Sequence, residues 1–272
     1  MKGLSKFYLA LVFIFLYAPI FVLIFFSFNA GNSTSVFTGF SLRWYSELFN
    51  DGETLTSLYN TLVVALLSSA VSTVLGTAAA VGISKLNHWM KNVVMNITNI
   101  PMMNPDIVTG VSMMLLFVFA GTILGKDDIL GFGTLLIAHI TFNLPYVILS
   151  VLPKIRQLDV HLVEAAEDLG CPANKAFFKV VLPNITSGII TGFVMAFTLS
   201  VDDFVISYFV SGPSFQTLPL RIYSMTKRVV RPSINALSTL IFAIVLILLI
   251  VINTLKSRDE KKLDAAKRRA KA

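Results

Sequence analysis

Residues 185–210, ITSGIITGFVMAFTLSVDDFVISYFV, decide the fold, because two adjacent aspartates interrupt an otherwise apolar run. An α-helix crosses the hydrocarbon core of a bilayer with about 20 residues, and this run exceeds that length. An ionised aspartate near the bilayer centre costs roughly 2.5–3.5 kcal/mol on insertion scales. The run therefore predicts a membrane-spanning helix, in which Asp202 and Asp203 are kept for a function.

Composition indicates that the whole chain is a polytopic membrane protein. Of its 272 residues, 55% are hydrophobic and only 14% are charged, with a mean hydropathy of +0.77. Soluble domains carry about 25% charged residues. Because lipid offers the backbone no hydrogen-bond partners, each apolar stretch must be a helix. We predict an all-α membrane protein with six transmembrane helices, at residues 7–28, 58–84, 93–121, 131–151, 185–211 and 233–255.

The first apolar stretch is predicted to be a retained membrane span. Its length exceeds the apolar core of roughly 7–15 residues that a cleaved signal peptide has. If the N-terminus is cytoplasmic, 16 of the 22 Lys and Arg residues lie on the cytoplasmic side of the six spans. The positive-inside rule therefore predicts a multi-pass protein of the cell membrane with both termini in the cytoplasm.

The predicted spans divide the chain into three regions. Residues 1–57 hold the first transmembrane helix and an external segment, residues 58–256 hold a core of five transmembrane helices with a cytoplasmic loop at 152–184, and residues 257–272 form a basic tail. In the external segment, SLRWYSELF (41–49) has the spacing of an amphipathic helix at the membrane interface. We expect the tail to be solvated or to face lipid headgroups.

Two of the predicted spans carry stripes of small residues at a spacing of four. The second span holds Ser68, Ser72, Gly76 and Ala80, and the fifth holds Gly188 and Gly192. Small residues let the backbones of two helices approach closely. The spacing fits packing within the chain and also fits an interface with a second subunit, and it does not separate the two.

The cytoplasmic loop contains the segment DVHLVEAAEDLGCPANKAFFKVVLP, residues 159–183. Asp159 is a good N-cap for a short helix, and Gly170 followed by Pro172 predicts where that helix ends. A second short helix is predicted at about 173–181, ending near Pro183. The first helix has a narrow apolar stripe with adjacent alanines and a charged flank. It fits a groove on another protein and equally fits a hairpin packed on its own chain.

The spacing within this loop resembles the EAA signature of ABC-importer permeases. The signature reads EAA, three residues, Gly, nine residues, Ile, any residue, Leu and Pro, and only Val180 departs from it, as Val in place of Ile. In that family the segment is the coupling helix that sits in a cleft of the ATPase subunit. The resemblance therefore assigns ATPase coupling to Glu164, Ala165, Ala166, Asp168, Gly170, Leu182 and Pro183.

The resemblance extends over nearly the whole chain, through stretches such as MMNPDIVTGVSMMLLF, HITFNLPYVI and FTLSVDDFVISYFVSGPSFQTLPLRIYSM. These stretches resemble the C-type permease subunits of spermidine/putrescine importers. Such a subunit has the type I ABC-importer fold. The resemblance implies import of polyamines into the cytoplasm, together with a second permease subunit, a cytoplasmic ATPase dimer and an external polyamine-binding protein.

The sequence predicts no catalytic site and no cofactor in this chain. It has no phosphate-binding loop of the form G-x-x-x-x-G-K-[ST], so ATP hydrolysis is expected in a separate subunit. His88, His139 and His161 are far apart, and Cys171 is the single cysteine, so no metal site is expected. No feature points to nucleic acid.

Charged residues within membrane spans usually face a cavity and mark a transport path. Asp106 lies in IPMMNPDIVTG, after Pro101 and Pro105 and before Gly110, where the two prolines predict a local opening of the helix. Carboxylates can replace the hydration of a polycation, and aromatic faces add cation–π attraction of roughly 0.5–2 kcal/mol per contact. The predicted path residues are Asp106, Asp202, Asp203, Phe204, Tyr208, Phe209 and Tyr146.

Other interpretations stay open at this point. The aspartates can instead cap broken helices or pair with Lys or Arg of a partner permease, and neighbouring residues on a helix diverge by about 100°, so only one of Asp202 and Asp203 need face the path. The cargo can be another small solute, such as iron, thiamine or an amino acid. A channel, a secondary transporter or a membrane scaffold without transport are more distant alternatives.

Overall fold

The structure is a computed structural model, and it describes residues 2–33, 36–126, 128–159, 161–227, 232–247 and 250. Within these ranges the regular secondary structure is helical, apart from an isolated bridge between Asn29 and Phe40. The helices are α1 (Lys2–Ser27), α2 (Arg43–Asn50), α3 (Gly52–Ser84), α4 (His88–Met103), α5 (Asp106–Leu124), α6 (Phe132–Arg156), α7 (His161–Asp168), α8 (Ala173–Ala176), α9 (Leu182–Asp202), α10 (Val205–Val210), α11 (Leu218–Lys227) and α12 (Ser233–Ile247), with a π-helical turn at Phe177–Val181.

The apolar helices have the lengths that membrane spans require. In the part of the chain that the structure describes, five are long and apolar enough to cross a bilayer, namely Lys6–Ser27, Gly52–Ser84, Asp106–Leu124, Phe132–Arg156 and Ala173–Asp202. The sixth predicted span is represented by α12, which covers 15 residues. Apart from Ile250, the residues of this predicted span after Ile247 lie outside the described ranges, as does the predicted tail at 257–272. The all-helical membrane fold is therefore confirmed.

The third predicted span, 93–121, is not one helix. The structure has α4 and α5 in its place, separated at Asn104 and Pro105, where Asn104 is extended with φ −76° and ψ 142°. A proline has no N–H to donate, and its ring excludes the helical conformation at the preceding residue. Pro101, in contrast, lies within α4. The local opening that the prolines predict is therefore present at Pro105 and absent at Pro101, and the prediction of one continuous helix over 93–121 was wrong.

The short helix predicted at 173–181 does not end near Pro183. A π-helical turn leads directly into α9, and Pro183 lies in the first turn of that helix. A proline is well tolerated there, since the N–H groups of a first turn have no intrahelical partner. The structure thus joins the loop to the fifth span as one continuous helical path over Ala173–Asp202.

The described residues divide into two compact units, one within 2–55 and 222–250 and the other within 56–221. In the first unit, α2 confirms the predicted amphipathic helix. Its Trp44 is 3% exposed and donates from Nε1 to the Asn29 carbonyl at 2.6 Å, so this indole points inward, whereas Leu42 beside it is exposed. The hydrogen bond of the indole accounts for the buried position of Trp44.

The second unit is built around α6, which packs against α9, α10 and α4. Buried residues of α3, α6 and α9 form one apolar core, to which Ala80, Val147 and Ile185 contribute. A Cβ on Gly76 would lie 2.7 Å from the Val147 side chain, and one on Gly192 would lie 3.2 Å from the Val147 backbone. These small-residue stripes therefore serve helix packing within the chain.

Candidate functional site

The fifth span is interrupted at its two aspartates. Helix α9 ends at Asp202, Asp203 is extended with φ −66° and ψ 118°, and α10 begins at Val205. The run predicted as one helix over 185–211 is therefore two helices with a break. Because α9 has 21 residues, about 30 Å at 1.5 Å per residue, the break lies at the opposite end of α9 from the loop segment 159–183.

Asp203 satisfies the backbone of this break. Its Oδ1 accepts from the Ile206 N–H at 3.2 Å, and its Oδ2 accepts from the Ser207 N–H at 2.7 Å and from the Ser207 hydroxyl at 2.8 Å. The His139 Nε2 atom lies 3.3 Å from the same Oδ2. The side chain is 9% exposed. Asp203 thus caps the first turn of α10, where the N–H groups of a helix would otherwise lack partners.

Asp202 has a different environment from its neighbour. It is exposed, whereas Asp203 is turned into the protein among His139 and Ser207. The divergence of consecutive side chains and the change of backbone conformation at Asp203 separate the two carboxylates. Of the pair, Asp202 is the one that the chain leaves accessible to a ligand.

Asp106 lies at the second helix break, as the first residue of α5 after Pro105. It is exposed. The first turn of a helix favours a negative charge, so α5 itself stabilises the ionised carboxylate. Tyr146, another of the predicted path residues, is partly exposed on α6.

The predicted aromatic residues of α10 form a contiguous group. The ring centroids of Phe204 and Tyr208 are 5.7 Å apart, and those of Tyr208 and Phe209 are 5.4 Å apart with perpendicular planes. Phe209 packs against α5 at Gly110, where a Cβ would lie 2.8 Å from its ring. Gly110 is one turn after Asp106 on the same helix face. Tyr208 is 52% exposed and offers a ring face beside the break.

A buried polar cluster lies behind the break, and the sequence analysis did not identify it. Asn143 Nδ2 donates to Ser200 Oγ at 2.8 Å, and Ser200 Oγ is 3.1 Å from Ser68 Oγ. His139, one turn before Asn143 on α6, is 2% exposed. The sequence signal for this cluster is a pair of polar residues, His139 and Asn143, at a spacing of four within an apolar span.

The first helix of the loop segment, α7, begins and ends where the sequence predicts. Asp159 Oδ1 accepts from the His161 N–H at 3.0 Å, just before α7. Gly170 has φ +80°, its N–H donates to the Glu167 carbonyl at 2.8 Å, and the Cys171 N–H donates to the Ala166 carbonyl at 3.0 Å. This pair of bonds is the Schellman motif, which ends helices at a left-handed residue.

The predicted coupling residues are presented to solvent on this segment. Two of them, Ala166 and Leu182, are partly exposed, and the others are exposed, namely Glu164, Ala165, Asp168, Gly170 and Pro183. Leu169 between them is 89% exposed, which is unusual for a leucine within a helical hairpin. Among the described elements, helix α7 makes its main contacts with α8 and the π-helical turn. The hairpin therefore leaves an apolar surface uncovered on its own chain.

Within the described ranges, no group of three or more His, Cys, Asp or Glu residues is arranged to hold a metal ion.

Comparison with known proteins gives concordant results. Residues 72–258 match the family described as "Binding-protein-dependent transport system inner membrane component". The chain is 37% identical over 255 residues to the spermidine/putrescine transport system permease protein PotC of Escherichia coli (strain K12), covering 94% of each chain. It is 39% identical over 255 residues to the putrescine transport system permease protein PotI of Escherichia coli (strain K12), covering 93% of this chain and 91% of PotI.

The fold is also similar to that of a solved transporter. A crystal structure of a bacterial ABC transporter involved in the import of the acidic polysaccharide alginate contains a chain that aligns with a TM-score of 0.74 at 14% identity. The alignment covers 94% of this chain and 95% of that chain. At this identity the likeness concerns the fold alone.

Proposed function

The chain belongs to the family of binding-protein-dependent transport system inner membrane components, and we propose that it is one of two permease subunits of an ATP-driven importer that carries spermidine or putrescine into the cytoplasm. It resides in the membrane as a multi-pass protein. The observation that carries the cargo assignment is the exposure of Asp106 and Asp202 at two helix breaks within an otherwise apolar set of spans. The names of the two permeases at 37% and 39% identity support the same cargo.

The two exposed carboxylates suit a flexible polycation. A polyamine that leaves water needs anionic oxygens in place of its hydration, and Asp106 and Asp202 supply them on different helices. The exposed ring of Tyr208 adds a face for an ammonium group, and the partly exposed ring of Tyr146 on α6 adds a second one. Two separated carboxylates bind such a cargo only modestly, as a pathway requires, because a site that holds its cargo tightly cannot release it.

The route we propose begins at the α9–α10 break. Asp202 is at the end of α9 remote from the cytoplasmic loop, so it is suited to receive a polyamine from an external binding protein. This entry is supported by Asp203, which caps α10, and by Phe209, which packs on α5. Phe204, next to Asp203 in the sequence, lines it. Asp106 at the α4–α5 break provides a second acidic position along the path.

The exposed hairpin is proposed to be the contact with the motor. Glu164, Ala165, Ala166, Asp168 and Gly170 lie on or directly after α7. Because the hairpin continues through the π-helical turn into α9, an ATPase subunit that moves α7 acts on the same helix that carries Asp202. ATP hydrolysis is assigned to that separate subunit.

The partners and the topology follow from this assignment. We propose a heterodimer with a second permease subunit, an ATPase dimer at the coupling hairpin, an external polyamine-binding protein, and both termini in the cytoplasm. The basic residues support this orientation by the positive-inside rule.

Uptake by the reconstituted complex tests the cargo. The full complex in proteoliposomes, with ATP inside and the binding protein outside, is given labelled spermidine or putrescine. We expect uptake that requires both ATP and the binding protein and that unlabelled polyamines suppress. Equimolar thiamine, ferric iron and amino acids serve as competitors, and suppression by one of these but not by polyamines would replace the proposed cargo.

A further inference from the structure

The buried histidine of the second unit is not used by the transport path described above. His139 is 2% exposed, and its Nε2 atom lies 3.3 Å from Asp203 Oδ2 and 3.3 Å from Ser207 Oγ. An ionised carboxylate can only accept hydrogen bonds, and the Ser207 hydroxyl already donates to the same carboxylate oxygen. The Nε2 atom must therefore carry the proton that is directed at Asp203.

We propose that His139 is a positioning residue: it holds the Asp203 carboxylate at the α9–α10 break and thereby leaves Asp202 as the carboxylate of the pair that meets the cargo. This inference rests on the proposed function, since it concerns which acidic group the polyamine contacts. His139 itself touches no cargo.

The reason lies in the cost of a buried charge. A carboxylate that is 9% exposed is destabilised unless its oxygens are paired. Two backbone N–H groups and the Ser207 hydroxyl satisfy part of this need, and the His139 ring closes the remaining side from α6. Without the ring, Asp203 would gain by turning toward water or toward a passing cation.

Two consequences follow for the transport path. If Asp203 left its position, the first turn of α10 would lose its cap, and the ring faces of Phe204 and Tyr208 would move with it. A second free carboxylate next to Asp202 would also hold a polyamine more tightly or in a different position. His139 thus fixes both the break and the number of acidic groups at the entry.

The first test is a double-mutant cycle on thermal unfolding of the purified complex, which needs no cargo. The variants are His139→Ala, Asp203→Asn and the two combined, with His88→Ala as a control, because His88 is an exposed histidine on α4. Because the His139 ring is buried, its removal costs stability in either background. We expect the loss in the combined variant to be smaller than the sum of the two single losses, since the contact with Asp203 is then counted once. Strictly additive losses would show that His139 acts by packing alone and would overturn the inference.

The second test separates positioning from folding. In uptake by the assembled complex, His139→Ala should change the polyamine KM by about tenfold, the size of one hydrogen bond to a charged group, while the maximal rate changes little. His139→Gln should restore the original KM, since an amide N–H can reach Asp203 in place of the ring. A KM unchanged in His139→Ala, or no rescue by Gln, would contradict the positioning role.

The unfolding cycle distinguishes failure of this inference from failure of the proposed function. If the unfolding cycle shows coupling but the native complex transports no polyamine, the cargo assignment is wrong and the support of Asp203 by His139 stands. If the native complex imports polyamines and the cycle is additive, the positioning inference alone is wrong.

Discussion

At the scale of single residues, Asp202 and Asp203 illustrate how neighbours in sequence acquire separate tasks. Asp203 has the extended backbone that a capping residue needs, and its carboxylate accepts from Ile206 and Ser207. Asp202 remains in α9 and is exposed. A helix break within a membrane requires a group that satisfies the freed N–H groups, and a charged transport path requires a group that stays free.

The difference predicts opposite outcomes for the same chemical change. Asp203→Asn should destabilise the complex by about 1–3 kcal/mol, because an amide has one acceptor oxygen where the carboxylate has two. Asp202→Asn should leave the unfolding midpoint unchanged and should reduce polyamine uptake. Thermal unfolding and uptake are measured on the same preparations. Equal loss of stability in both variants would contradict the division of tasks.

At the scale of helices, small residues set how closely the spans approach one another. Gly76 and Gly82 are on the same helix, α3, but a Cβ on Gly76 would lie 2.7 Å from Val147 whereas one on Gly82 meets nothing within 4 Å. Gly76 therefore marks a contact with α6, and Gly82 marks an open position.

This pair provides a matched prediction for helix packing. Gly76→Ala should lower the free energy of unfolding by about 1–3 kcal/mol, because the neighbouring Val147 must move to accept the methyl group. Gly82→Ala should be neutral or stabilising by up to about 1 kcal/mol through helix propensity. Denaturation of the purified complex in detergent measures both. A destabilised Gly82→Ala with an unaffected Gly76→Ala would refute the packing described here.

The coupling hairpin makes a further prediction at Gly170. Its φ of +80° is a left-handed conformation that costs about 1–2 kcal/mol for other residues, and proline is excluded from it altogether. Gly170→Ala should weaken, and Gly170→Pro or Glu164→Lys should abolish, the coupling of ATP hydrolysis to uptake or the retention of the ATPase. Gly133→Ala is the control, since a Cβ there meets nothing within 4 Å. Normal coupling in Gly170→Pro would remove the docking role.

The sequence is sufficient for some of these elements and insufficient for others. The left-handed end of α7 at Gly170 is predicted from the sequence, because such a cap depends on local residue type. The small-residue stripes predict close helix contacts but not which helix they contact, and the structure supplies α6. No Pro or Gly lies beside Asp203, so the local sequence does not predict the break there. It exists because His139, 64 residues earlier in the sequence, and Ser207 stabilise the cap, and such a tertiary contact has no local signature.

At the scale of the whole molecule, the account requires the coupling hairpin and the α9–α10 break to be on opposite sides of the membrane. Cys171 is the single cysteine of the chain and is partly exposed. A membrane-impermeant maleimide should label it in inside-out vesicles and not in right-side-out vesicles. Ser46→Cys combined with Cys171→Ser places the thiol on α2 and should give the reverse pattern. The same pattern for both would contradict the proposed topology.

The central claim is that carboxylates at two helix breaks stand in for water around a passing polycation. The most direct measurement is ATP-driven, binding-protein-dependent uptake of labelled spermidine and putrescine by the reconstituted complex with Asp106→Asn and Asp202→Asn combined. The control is Asp128→Asn, an exposed position between α5 and α6. We predict that the double variant assembles with its partners and transports no more than liposomes lacking the binding protein, while Asp128→Asn transports normally. Native uptake by the assembled double variant would contradict the claim.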